Sequence, residues 1–278
     1  MKRKDIQLGK NARAEKRRRK IKIISSLIVV AIFSLVALFV WLINKPQLQI
    51  ADISIKGSET LNPQSLINIV RNDIEGKKMW FIPKSSVVFY PSGKITQDIY
   101  AFDHRIKKVD ISVNTSRNLT VEILEHKPSF LWCDNTDVCF YANDDGYVFE
   151  ETENKNKGLF VVFENGLTEG EPLGQMWREG DLGSIKDFIE FFKNENLVVR
   201  RVVYGGEVDY GFYLDNGIEI KIDLDESIST VQNYLDIFIS QNFEYFKQGL
   251  YEYVDARFGK KIFYKEINKN ESETVENQ

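Results

Sequence analysis

IISSLIVVAIFSLVALFVWLI, residues 23–43, is a run of 21 residues without a charge, a proline or a glycine, interrupted only by Ser25, Ser26 and Ser34. As a helix rising about 1.5 Å per residue it measures roughly 30 Å, the hydrocarbon thickness of a bilayer. A core helix of a soluble domain would carry a polar face at helical spacing, and this run has none. It predicts a membrane span, and the flanks predict its direction. Residues 1–22 hold eleven Lys or Arg against Asp5 and Glu15, a net +9; the whole chain is −4, so the residues after 22 sum to −13. Basic residues beside a span stay cytoplasmic, which places the 1–22 tail inside and the acidic remainder outside. A basic run also suits nucleic acid, but directly against a span, topology and anionic lipid explain it better. A cleaved signal peptide would have a shorter apolar run and a small-x-small site. This run instead ends in Phe39-Val40-Trp41-Leu42-Ile43, with Trp41 suited to the interfacial aromatic belt.

Outward from the span, residues 48–126 read as strand, helix, helix, strand, strand. Residues 50–56 alternate as a strand closed by Gly57. Asn62-Pro63 is an N-cap with proline at the first helical position, and Leu66, Ile67 and Val70 supply the apolar face. Ser92 is expected to cap a second helix, whose apolar face is Ile95, Ile99 and Phe102. Between the helices, residues 80–83 and 87–90 are apolar but carry no readable period. Val109, Ile111 and Val113, then Leu119, Val121 and Ile123, alternate with polar residues on either side of Thr115-Ser116, a hairpin with one buried face. This is a small α+β unit with two helices on one sheet face.

From residue 127 to 265 the pattern is β-rich with packed helices. Strands are expected at 129–133, 139–141, 147–149 and 158–163, and residues 197–204 form a nearly continuous apolar run apart from Arg200 and Arg201. A helix is expected through Ile185, Phe188, Ile189 and Phe192, and a hairpin around Asp215-Asn216-Gly217. Ile228, Val231, Leu235 and Phe238 define a last helix, and residues 251–256 and 261–264 the closing strands. The polar stretch 266–278 is expected to be disordered.

Groups for catalysis are sparse. The two histidines, His104 and His126, lie far apart without a Cys or His at ligand spacing, and no nucleophile elbow, phosphate-binding glycine loop or zinc-protease motif occurs. Asp223-Leu224-Asp225 has the form of a metal-binding pair, but at a strand-to-helix junction Asp225 reads better as an N-cap or first-turn acid. Asp144-Asp145-Gly146 lacks the further oxygen ligands of a calcium loop and reads as a turn. No catalytic, cofactor or metal site is expected. Cys133 and Cys139 flank a short turn on facing strands, so a structural disulfide is expected outside the membrane, with two buried thiols as the alternative. A membrane-stalked wall hydrolase or glycosyltransferase would need a cavity of convergent carboxylates.

Three segments carry a resemblance: residues 119–128 (LTVEILEHKP), 141–149 (YANDDGYVF) and 253–258 (YVDARF). In this order, behind a basic tail and one span, they resemble the FtsQ/DivIB family of bacterial cell-division proteins, although His126 stands where that family usually has Arg or Lys. The resemblance implies a POTRA-like β-α-α-β-β domain over 48–126 and an FtsQ-type β domain over 127–265. It implies a non-enzymatic divisome scaffold at the septum, binding FtsB/DivIC and FtsL through the last strands and the helix that precedes them. Those strands accept a partner at a sheet edge, with Tyr253, Asp255, Arg257, Phe258 and Tyr264 as the partner-binding residues. Alternation would put Tyr253, Asp255 and Arg257 on one face and Val254, Ala256 and Phe258 on the other, toward the core.

Overall fold

The computed structural model describes residues 8–78, 80–152 and 158–267. The basic residues Lys2, Arg3 and Lys4, and the part of the expected disordered tail from 268 to 278, lie outside these. Helix α1, Leu8–Ile43, runs 36 residues and continues the apolar stretch N-terminally through the basic segment. It is long and apolar enough to cross a membrane, and Leu27, Phe33 and Leu35 on it are exposed. The remainder is mixed α+β, with a β-rich C-terminal part. The chain divides into two units, Met1–Phe102 with Lys108–Leu124, and Asp103–Lys107 with Glu125–Gln278.

After α1 the first unit continues with β1 (Asp52–Lys56), α2 (Pro63–Ile74), the two-residue strands β2 (Lys77–Lys78) and β3 (Ile82–Pro83), and α3 (Ser92–Phe102). β4 (Ile106–Val113) and β5 (Asn118–Glu125) follow, in a sheet ordered β1-β5-β4. β1 runs parallel to β5, with Ile53 opposite Leu119 and Ile55 opposite Val121. α2 starts where the sequence predicts, since Asn62 Oδ1 accepts the Gln64 N–H at 2.9 Å and Pro63 has no N–H to leave unpaired. Its Leu66 and Val70 are buried, as are Ile95 and Ile99 of α3 and Leu119, Val121 and Ile123 of β5, and α2 lies against α3 and β1. Two expectations for α3 are corrected. Ser92 is its first helical residue rather than its cap, and Phe102 is exposed because the helix ends there instead of continuing over the sheet. Asp73 of α2 is buried and ion-paired with Lys94 of α3. At Gly57 the backbone is left-handed (φ 77°), and a Cβ there would lie 2.2 Å from the Ile123 carbonyl oxygen.

The second unit is built on a nine-stranded sheet. In chain order its strands are β6 (Phe130–Cys133), β7 (Cys139–Ala142), β8 (Val148–Thr152), β9 (Val162–Glu164), β10 (Val199–Gly206), β11 (Asp209–Leu214), β12 (Glu219–Asp223), β13 (Tyr251–Phe258) and β14 (Lys261–Glu266). In space they are ordered β14-β13-β12-β11-β10-β9-β6-β7-β8. Helices α4 (Glu179–Asn194), α5 (Ile228–Gln241) and α6 (Phe243–Lys247) bring Phe188, Phe192, Leu235, Ile239 and Phe246 into one core with Phe212, Ile220 and Val254 of the sheet. β11 and β12 alternate between buried and half-buried residues, as expected for strands with one face under helices. Trp177 is fully buried in that core, and its indole N–H and that of Trp132 both donate to the Asn165 carbonyl, at 2.7 and 2.9 Å. β6 is buried on both faces, its second face closing a small cluster with Val162, Tyr141 and Phe160.

Four further expectations differ. The strand expected at 158–163 is only β9, Val162–Glu164, because residues 158–160 form a turn and bend instead. The last helix is followed by a second short one, α6. Asp225 caps nothing: α5 begins after Ser227, and the Asp225 N–H instead bonds Asp223 Oδ1 at 2.7 Å in the preceding turn. β14 also runs to Glu266, into the stretch expected to be disordered.

Candidate partner-binding edge

The five residues singled out on the closing strands lie on β13 and β14, and they fall into different environments. β14 ends the sheet, and β13 lies between it and β12, parallel to β12 and antiparallel to β14. Register aligns two rows of side chains on the face away from the helices. One row is Arg201, Tyr213, Glu219, Tyr253 and Lys265; the next is Val203, Gly211, Lys221, Asp255 and Phe263. Neighbours within a row contact one another across strands. The Arg201 guanidinium sits 4.1 Å from the Tyr213 ring centroid and Tyr213 donates to Glu219 Oε1 at 2.8 Å; between the rows, Lys221 Nζ lies 4.8 Å from the Tyr253 centroid. Burial and that bond to Glu219 push the Tyr213 hydroxyl up to about 12.

Asp255 is on this face but is 6 % exposed and spoken for internally. Arg257 Nε donates to its Oδ1 at 2.9 Å and Nη2 to its Oδ2 at 2.7 Å, while Nη1 reaches Asp209 Oδ2 of β11 at 2.7 Å. Burial pushes the Asp255 carboxyl up, but the hydrogen bonds and charge of Arg257 outweigh it and hold the group below its usual value. Asp255 and Arg257 therefore tie β13 to β11.

Phe258 corrects the expected alternation. Between Asp255 opposite Phe263 and Phe258 opposite Lys261, β13 carries one residue more than β14, a bulge. Val254 and Ala256 are buried, but past the bulge Phe258 is 56 % exposed and packs edge-on against Phe263 at 5.3 Å. Tyr264 is half exposed on the helix side, packed against Phe238 (5.4 Å) and Tyr251 (5.3 Å). Phe263, absent from the sequence-derived set, belongs with Phe258; its signal was an apolar residue within a terminal strand otherwise rich in lysine and glutamate. The edge thus offers two aromatic lips, Phe258–Phe263 on the open face and Tyr264 on the helix face, either side of the outermost backbone.

Elsewhere, Cys133 and Cys139 stand opposite each other on β6 and β7 and are disulfide-bonded. His126 packs on Tyr147 and Phe149, with ring centroids 4.8 and 5.5 Å away. Asn143 Oδ1 accepts the N–H groups of Asp145 and Tyr147, so its Nδ2 must face His126 Nδ1 at 2.9 Å as donor. The imidazole has to offer a lone pair there, and burial, with the charge of Lys107, pushes its pKa down. His104 Nδ1 lies 3.1 Å from the Tyr147 hydroxyl. Among the described residues no three His, Cys, Asp or Glu are grouped to hold a metal.

Fold and edge together define a mixed α+β protein with one N-terminal helix able to cross a membrane and a large sheet that ends in an aromatic-flanked strand. No family model matches the chain, and no curated protein matches it.

Proposed function

We propose that this chain is a division scaffold of the FtsQ/DivIB type, anchored by α1 with its basic N-terminus in the cytoplasm and working at the septum by docking rather than turnover. On this reading the β1-α2-α3-β4-β5 unit is POTRA-like, and the nine-stranded sheet is the partner domain for FtsB/DivIC and FtsL type proteins. The observation that carries the reading is the terminal strand β14, whose position at the sheet end suits the addition of a partner strand. Phe258, Phe263 and Tyr264 beside it supply the aromatic anchors such interfaces use. Tyr253 would form the floor of the open-face approach, with Asp255 and Arg257 holding β13 in place beneath it.

Capture of the coiled-coil partners by the full-length chain with Phe258→Ala and Phe263→Ala tests the reading. Loss of two exposed aromatic anchors should weaken capture about 10- to 100-fold, at roughly 1.4 kcal/mol per factor of ten, without changing the melting temperature. Undiminished capture would remove the edge from consideration. Depletion in the source bacterium should give elongated or chained cells.

A further inference from the structure

The apolar residues between α2 and α3 are left without a role by the partner edge. Trp80 lies in the connection between β2 and β3, with its backbone left-handed (φ 69°) and its side chain 95 % exposed. Phe81, Val88 and Phe89 are exposed as well, Val88 at 65 %. An indole set out so fully in a conformation that disfavours large side chains gains nothing from contacts within this chain. The segment is held in place all the same. The Val87 N–H donates to the Leu48 carbonyl at 3.0 Å, the Ile50 N–H donates to the Ser85 carbonyl at 2.7 Å, and Gln49 bridges Ser86.

Its location follows from its contacts with α1. Asn44, just past the helix, donates through Nδ2 to the Phe81 carbonyl at 3.0 Å, and the Phe89 ring meets the Phe39 ring edge-on at 6.1 Å. Phe39 precedes Ile43, the last residue of α1, by four positions, about 6 Å along the axis. If α1 crosses a bilayer, the Phe89 ring is then carried about that far below the end of the span, into the outermost acyl chains, with Phe81 at the exit point. Lys45, with Nζ 3.8 Å from the Trp41 ring centroid, and the exposed Lys77 and Lys78 surround the patch. Aromatic rings at headgroup level, with lysines reaching to the phosphates, are the composition of a membrane interface.

We propose that Trp80, Phe81, Val88 and Phe89 form an interfacial foot that seats the first unit on the bilayer surface beside α1, with phospholipid as the occupant of the patch. The foot fixes that unit's height and tilt over the membrane, which a single helix and a flexible linker would not.

The inference rests on α1 spanning the membrane, and one experiment separates the two claims. The full-length chain is reconstituted into phosphatidylethanolamine–phosphatidylglycerol vesicles whose acyl chains are brominated near the headgroup. Of the four tryptophans, Trp132 and Trp177 are buried in the second unit, so Trp41→Phe leaves Trp80 as the reporter and Trp80→Phe leaves Trp41. Each single variant retains three indoles, and full quenching of its reporter removes about a third of the emission. The Trp41→Phe/Trp80→Phe chain sets the baseline. Loss in both single variants supports the foot. Loss in Trp80→Phe alone leaves the anchor standing and overturns the foot, as does a blue-shifted Trp80 that bromine does not quench, since a protein would then be covering it. Absence of quenching in both single variants overturns the anchor and the foot together.

Discussion

Replacing Arg257 by Ala removes three side-chain hydrogen bonds to two carboxylates, two to Asp255 and one to Asp209. Breaking a buried pair from one side costs roughly 3–5 kcal/mol, because the remaining charge is left desolvated. Here the Arg257 side chain is 29 % and that of Asp209 40 % exposed, so water re-solvates part of what is lost and about 2–3 kcal/mol is expected. For a chain of this size that lowers the melting temperature by roughly 5–10 °C. The loss also has a pH signature. In the native chain the lowered Asp255 pKa adds stability that is complete above the unfolded value and disappears as pH falls through the folded one. Without the Arg257 side chain, burial is opposed only by the backbone N–H at position 257 and the charge of Lys221, so the Asp255 carboxyl rises from its native value and the variant takes up its proton at higher pH than the native chain does. The gap between the two chains should therefore narrow on acidification toward about pH 4.5. Thermal melts of both full-length chains, followed by tryptophan emission across that range, make the measurement. A shift under about 1 °C at neutral pH, or a gap that stays constant, would refute the view of Asp255 and Arg257 as an internal tie.

His126 gives a second pH effect of opposite chemistry. Its folded pKa lies below 6.5, so the unfolded chain takes up the proton first and stability falls as pH drops through 6.5. His126→Gln, which keeps an acceptor for Asn143 but does not titrate, should flatten that part of a melting-temperature profile; an unchanged slope would mean another group is responsible. The Cys133–Cys139 bridge closes a loop of sequence separation 6, so Cys133→Ser with Cys139→Ser should cost about 2 kcal/mol, checked by denaturant unfolding, and intact-mass analysis should register two added hydrogens when the native chain is reduced. Gly57→Ala combines a left-handed backbone with a Cβ inside contact distance of the Ile123 carbonyl and should cost at least about 2 kcal/mol; a neutral result would show that β5 yields there.

Much of the framework was legible because it depends on residues close in sequence. The membrane-compatible helix is a long count of residues without charge, proline or glycine, α2 is announced by its Asn62-Pro63 start, and the 109–123 hairpin by period-two alternation, each of which the local backbone enforces. Boundaries slipped where a neighbour rather than the local pattern decided them, as at Ser92 and at the shortened β9.

The amino-acid order by itself determined a membrane-compatible helix, an α+β first unit, a β-rich remainder and two cysteines placed to meet. Tertiary structure decided which strand lies at the sheet end, that β9 intervenes between β6 and β10, and that a bulge turns Phe258 outward while Asp255 is drawn in against Arg257. Pairings between segments tens of residues apart leave no period in either partner. One extra residue in a strand reverses the side on which every following side chain falls.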